Sequence, residues 1–305
     1  MTVTIAGCGA LGSLLAARIL AGGERVQIFQ RAGAHLEALR TRGITVEADR
    51  GGVSRNYQPS AASCDTRDLE PSRLIIVLVK SYHTGDILPV RDLLTSDGVV
   101  LSLQNGLGNA ETLAGLFGEE RVAAGVSTYG AYRTAPGTIH WGGDGFIVFG
   151  PYQRGRDMAW IGEYLRAAGL NADYQEDPRP AIWKKLGINA MVNTCAALTR
   201  MGNGELLASP PVLELMKKLG KETVAAAGRA GVNLDFEELW ALHAENLERT
   251  AANRPSMLQD IEAGRQTETD AISGGVLGYA RSDEDFPCTR TVHALLKALD
   301  LNRPG

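Results

Sequence analysis

The chain has 305 residues, 44% hydrophobic and 22% charged, with a formal net charge of −4. That length and apolar content bury a large core and favour two domains, and with no basic block or basic-aromatic ladder nucleic acid is not an expected partner. The longest apolar run, residues 74–79, is far too short to span a bilayer, no cationic leader precedes the first strand, and the four cysteines and five histidines stand apart without CxxC or metal-ligand spacing, so a cytoplasmic protein without membrane contact, disulfides or metal is expected.

Residues 3–6 read as an apolar strand that runs straight into Gly7, Cys8, Gly9, Ala10, Leu11 and Gly12, then into a helical pattern through Leu14, Leu15 and Ile19. Strand, glycine turn and helix in that order are the setting a dinucleotide-binding fingerprint requires. Gly7 permits a tight turn, Gly9 clears space for a pyrophosphate on the helix N-terminus, and Gly12 lets helix and strand pack closely. Residues 26–29 alternate as a second strand, and its end is where an Asp or Glu would accept from the ribose of NAD. Gln30 and Arg31 stand there instead. A guanidinium forms a planar two-point contact with a 2′-phosphate and no carboxylate repels that phosphate, so NADP(H) is expected over NAD(H), the alternative being a solvated loop arginine.

Residues 74–79 and 99–103 are continuous apolar runs, as parallel strands covered on both faces should be, and a helical pattern follows each. Residues 122–127 continue the sheet. Residues 138–141 and 146–149, separated by Gly142, Gly143, Asp144 and Gly145, read as a hairpin. A helix over residues 156–168 and a short strand near 172–175 close this half; beyond Pro178 and Pro180 nearly everything to Leu299 reads as helix, and residues 301–305 as a frayed tail. The expected architecture is an α/β, Rossmann-type dinucleotide-binding domain over residues 1–176 followed by an all-α substrate and catalytic domain over residues 177–305.

Ligands of an open parallel sheet gather beyond the carboxyl ends of its strands, which draws notice to Lys80 and to Gln104-Asn105-Gly106. By spacing alone Lys80 is as well a surface lysine, and Asn105-Gly106 a turn dipeptide. A stronger pattern opens the helical half, where Lys185, Asn189 and Asn193 recur every fourth residue along an otherwise small and apolar stretch. A buried polar stripe costs on the order of 1–3 kcal/mol per unsatisfied group. Such a stripe either faces a cleft holding a polar substrate or bonds neighbouring helices. Asn203-Gly204-Glu205, the segment from Ser256 to Asp260 and Thr267-Glu268-Thr269-Asp270 add polar groups that, taken singly, read as caps or solvated faces.

These motifs together resemble the 2-dehydropantoate 2-reductases, the ketopantoate reductases: GCGALG from Gly7, Arg31, Lys80, NGLG from Asn105, WKKLGINAMVN from Trp183, NGEL from Asn203, SMLQD from Ser256 and TETD from Thr267. The resemblance implies that Gly7, Cys8, Gly9, Ala10, Leu11, Gly12, Arg31, Lys80, Asn105 and Ala131 touch NADPH, with Glu268 near its nicotinamide end. It also implies that Lys185 is the catalytic lysine, supported by Glu268, and that Asn105, Lys185, Asn189, Asn193, Asn203 and Ser256 contact a 2-oxo acid substrate. The reaction so implied is reduction of ketopantoate to pantoate, a step towards pantothenate, by hydride transfer with Lys185 as general acid. Closure of the cleft would hinge at Gly106 and residues 177–180.

One departure stands out: Asn193 is followed by Thr194, where the family pattern commonly has proline, so the helix is expected to lose a kink and gain a hydroxyl near the pocket. The alternatives are reduction of another bulky 2-oxo acid, or a 2- or 3-hydroxy acid dehydrogenase. From a different class comes an NADP(H)-binding sensor that has lost catalysis, against which the intact Lys185, Asn189, Asn193 and Glu268 argue. The sequence allows a homodimer without requiring one.

Overall fold

The N-terminal apolar run forms the strand β1 (Thr2–Ala6), and the elements that follow it in the first half are α1 (Ala10–Ala21), β2 (Arg25–Phe29), α2 (Ala34–Arg42), β3 (Ile44–Asp49), β4 (Val53–Tyr57), β5 (Ala61–Ser63), β6 (Ser72–Val77), β7 (Leu94–Ser102), α3 (Asn109–Phe117), β8 (Val122–Ser127), β9 (Gly130–Ala135), β10 (Thr138–Gly143), β11 (Ile147–Pro151), α4 (Ala159–Ala167) and β12 (Ala172–Tyr174). The structure is a computed structural model that describes residues 1–49 and 52–302. It divides into two units, Met1–Gln104 with Asn109–Pro178, and Asn105–Gly108 with Arg179–Gly305.

In the first unit the large sheet runs in the order β12-β11-β8-β7-β6-β1-β2-β5, parallel except where β11 opposes β8. Leu74 and Ile76 of β6 join a core with Val3, Ile5, Leu14 and Leu15, while Ile75 and Val77 join another with Ile87, Val90 and Leu113. Side chains alternate between the faces of a strand, and both faces here are covered, hence the unbroken apolar run. The chain leaves β1 towards β2 on one side and returns through β6 on the other. The crevice beyond the carboxyl ends of β1 and β6 is therefore the switch point at which such sheets take ligands.

The first unit departs from the expected elements at residues 138–149 and after β6. Residues 138–141 and 146–149 are not a hairpin. Strand β10 pairs antiparallel with β9 and parallel with β3 in a four-stranded sheet ordered β4-β3-β10-β9, whereas β11 pairs with β8 in the large sheet. The glycines between them carry the chain from one sheet to the other, and a Cβ on Gly145 would collide with the backbone of Tyr129. After β6, no α-helix forms. Short 3-10 segments at Ser81–His83 and Gly85–Leu93 connect to β7, because Pro89 lacks the N–H that an α-helical ladder needs.

The second unit holds α5 (Arg179–Thr199), α6 (Asn203–Leu207), α7 (Pro210–Arg229), α8 (Phe236–Arg249), α9 (Ser256–Glu262), α10 (Thr269–Leu277) and α11 (Pro287–Leu301). Helix α5 packs against each of the others, and its Leu186, Ala190, Met191 and Cys195 are at most 2% exposed. A helix so surrounded is apolar almost all round. It runs unbroken through Thr194, whose hydroxyl donates to the Ala190 carbonyl one turn back. The hydroxyl expected near a pocket is spent inside the helix. Leu301 closes α11 rather than fraying, and residues 303–305 lie outside the described residues. No helix among the described residues is long and apolar enough to cross a membrane.

His243 of α8 is 0% exposed, and neither ring nitrogen meets a hydrogen-bond partner among the described residues. Burial pushes its pKa down from 6.5 to about 4. Between those values the unfolded chain binds a proton that the native chain does not, so stability falls as pH is lowered through that window, by roughly 3 kcal/mol from this group. His243→Leu removes both unpaired nitrogens at similar volume. Urea unfolding is expected to show a variant about 1 kcal/mol more stable at pH 7, with a shallower loss towards pH 4; an unchanged acid slope would contradict this.

Candidate active site

Each glycine of the first turn is held for its own reason. Gly7 has a φ of +93°, and a Cβ there would enter the backbone at Val79. A Cβ on Gly12 would run into the Gly7 carbonyl oxygen. At Gly9 the Cβ position meets nothing within 4 Å. Gly9 is also the N-cap of α1, without a side-chain cap and with no acidic residue in the first turn. The first helical bond runs from Ser13 N to Gly9 O at 2.9 Å, so the N–H groups of Ala10, Leu11 and Gly12 precede the ladder and carry the positive end of the helix dipole. The open position beside uncapped N–H groups fits a pyrophosphate.

Cys8 plays a different part. Its side chain is buried against Ser13, its N–H donates to Gln30 Oε1 at 2.8 Å, and its carbonyl lies 2.6 Å from His35 Nε2. Gly137 N donates to the other ring nitrogen of His35 at 3.0 Å. The Nε2 atom therefore carries the hydrogen and donates to Cys8. Burial pushes the His35 pKa down, against the pull of the Cys8 carbonyl, so the neutral ring is the form that holds the loop. Gln30, at the position where a carboxylate would read a ribose hydroxyl, is committed to the loop backbone instead. Neither residue carries a sequence motif: Gln30 stands out only as the lack of a carboxylate, and His35 is one of five dispersed histidines.

Arg31 follows β2, is exposed, and makes no hydrogen bond or ion pair among the described residues. Lys80 is half-buried just beyond Val79, the residue against which Gly7 packs, so the structure brings it to the same strand ends as the glycine turn. Ala131 is half-buried on β9, paired with Trp141, in the small sheet that packs against α1.

In the second unit, α5 sorts its two adjacent lysines. Lys184 is exposed and lies 3.9 Å from Glu238. Lys185, one residue and about 100° further round the helix, is half-buried. Burial pushes its pKa down from 10.5 to about 8, with the Glu268 carboxylate pulling the other way. Glu268 is 5% exposed at the N-cap of α10, and its Oε2 accepts from Asn105 Nδ2 at 3.3 Å. Asn105 reaches it because Gly106, at φ +83°, lies flat against the Ala271 carbonyl where a Cβ would clash, and Leu107 N bonds that same oxygen at 2.9 Å. The predicted residues Lys185, Glu268 and Asn105 thus come together.

Further along the stripe, Asn189 is half-buried, and Asn193 Oδ1 lies 3.5 Å from Ser256 Oγ on α9. Asn203 is spent otherwise. Its Nδ2 donates to Thr250 O at 3.1 Å and Oγ1 at 2.7 Å, pinning α6 to the end of α8, while its buried Oδ1 meets no partner among the described residues. Chemically, an ammonium with a lowered pKa beside a carboxylate and uncharged donors is a set able to protonate and orient an anionic oxygen.

The chain is similar to known proteins over both of its halves. Residues 3–154 match Ketopantoate reductase PanE/ApbA, and residues 177–300 match Ketopantoate reductase PanE/ApbA C terminal. A 2-dehydropantoate 2-reductase of Halobacterium salinarum is 33% identical over 301 residues, 97% of this chain and 98% of the relative. Another, from Archaeoglobus fulgidus, is 36% identical over 288 residues, 93% of this chain and 91% of the relative. The crystal structure of 2-dehydropantoate 2-reductase from Geobacter metallireducens superposes with a TM-score of 0.89 at 29% identity, covering 98% of this chain and 99% of that one. With both halves matched and full-length relatives above 30% identity, the chain belongs to the ketopantoate reductase PanE/ApbA family.

Proposed function

We propose that the chain reduces 2-dehydropantoate to pantoate with NADPH, as an oxidoreductase of pantothenate synthesis with Lys185 as the general acid. The observation that carries this reading is Lys185 itself, a half-buried ammonium on an apolar helix whose pKa burial pushes down to about 8 and whose charged form the Glu268 carboxylate favours. Reduced nicotinamide supplies a hydride. The N-terminal N–H groups of α1 and the Gly9 opening seat a pyrophosphate, and Arg31 pairs with a 2′-phosphate. As the ketone of the substrate gains hydride its oxygen becomes an alkoxide, and Lys185 Nζ stabilises that charge and gives it a proton. Glu268, held by Asn105, keeps the lysine charged in an environment that would otherwise strip its proton. Asn189, Asn193 and Ser256 offer neutral donors and acceptors for the carboxylate and hydroxyl of the acid.

The test is oxidation of NADPH in the presence of 2-dehydropantoate and a panel of branched and aromatic 2-oxo acids, compared by kcat/KM. The highest value is expected for 2-dehydropantoate. A preference of more than tenfold for another 2-oxo acid would reassign the substrate, and no oxidation with any of them would remove the reading.

A further inference from the structure

The carboxylate of Asp300, in the last turn of α11, is 9% exposed, and each of its oxygens accepts a hydrogen bond from Thr267. Oδ1 accepts from Thr267 N at 3.0 Å and Oδ2 from Thr267 Oγ1 at 2.7 Å. Thr267 Oγ1 lies 2.5 Å from Thr269 Oγ1. A hydroxyl has one hydrogen to give, and that of Thr267 goes to Asp300, so Thr269 donates to Thr267 and the chain of bonds runs one way, from Thr269 through Thr267 to Asp300. Between the two threonines stands Glu268, at the N-cap of α10, where its side chain does not cap the helix. Thr267 and Thr269 are 2% and 1% exposed. On the same two helices Lys297 Nζ lies 2.8 Å from Asp270.

We infer that Asp300 is a positioning residue for the proton donor: it anchors the backbone on either side of Glu268 and so sets where that carboxylate stands beside Lys185. This rests on the reading of Lys185 given above. A buried carboxylate is costly unless hydrogen-bonded, and here the residue preceding Glu268 donates to both of its oxygens. Removing them frees the Glu268 segment to relax, and Lys185 then loses the one neighbouring charge that raises its pKa.

The experiment is the pH profile of kcat/KM for the full-length enzyme with NADPH and 2-dehydropantoate, in Asp300→Ala, Asp300→Asn and Thr267→Val, with Lys185→Ala alongside. In Asp300→Ala, kcat/KM is expected to fall about tenfold and its alkaline limb to move down by at least about half a pH unit, with NADPH affinity by fluorescence titration unchanged. Asp300→Asn is expected to restore most of the activity, because a flipped amide accepts from Thr267 N and donates to Thr267 Oγ1, reversing the hydroxyl chain without breaking it. Thr267→Val, of similar volume, removes the hydroxyl bond and keeps that from the backbone N–H, so it is expected to move the alkaline limb in the same direction by less, and it serves if Asp300→Ala does not fold. A wild-type alkaline limb in a folded Asp300→Ala or Thr267→Val, with Lys185→Ala inactive, overturns this inference alone. An active Lys185→Ala overturns it together with the reading on which it rests.

Discussion

Lys185→Ala is expected to lower kcat by about 10²–10⁴-fold, the usual value of a positioned general acid, with NADPH affinity close to that of the unaltered enzyme. The reason is local. Lys185 is a half-buried lysine that faces the Glu268 carboxylate, and no other lysine is placed on that stripe of α5. Its neighbour provides the control. Lys184 is exposed and lies 3.9 Å from Glu238 on α8, a surface pair of the kind that contributes less than about 1 kcal/mol, so Lys184→Ala should turn over within about twofold of the unaltered enzyme. Stopped-flow measurement of the hydride step separates chemistry from product release. A Lys185→Ala enzyme with more than about a tenth of the original turnover would contradict the assignment.

Arg31→Ala is expected to lower kcat/KM with NADPH by about 10- to 100-fold, the worth of a charge-assisted bidentate contact, and to leave kcat/KM with NADH within about threefold. Arg31 is exposed immediately after β2, with no protein partner among the described residues to hold it elsewhere. Gln30 beside it is turned to the glycine loop through Cys8 N at 2.8 Å, so no carboxylate stands at the strand end to reward a bare ribose hydroxyl. Parallel kinetics with the two cofactors decide the matter. Equal efficiencies in the unaltered enzyme, or equal losses with both cofactors in the variant, would remove Arg31 from cofactor selection.

What the sequence made legible was whatever depends on near neighbours. The order of strand, glycine turn and helix at Gly7 to Gly12 is local and stands where the pattern placed it, and the continuous apolar run read at residues 74–79 is local too, its strand β6 lying two residues earlier. The spacing of Lys185, Asn189 and Asn193 marked one stripe of α5 for the same reason. The errors came from pairing at a distance. Alternation on either side of the glycines at residues 142–145 describes two strands equally well whether they pair with each other or join different sheets, and the partners β3 and β8 lie far away in the chain. The same limit hid three residues. Gln30 meets Cys8 across 22 positions, His35 meets Gly137 across 102, and Asp300 meets Thr267 across 33. Each is a lone polar residue whose purpose is set by a partner that sequence order does not indicate. Asn203 shows the reverse, a residue with a motif's company whose amide is turned into the contact between α6 and α8.

The central claim is that one half-buried ammonium supplies the proton, and the alkaline limb of kcat/KM for reduction of 2-dehydropantoate tests it most directly. A general acid must hold its proton to act, so with a pKa of about 8 at Lys185 the value should be level on the acid side and fall about tenfold per pH unit above 8, and in Lys185→Arg, whose guanidinium does not titrate in this range, whatever activity remains should lose that limb. A profile level to pH 10, or the same limb in Lys185→Arg, would contradict it.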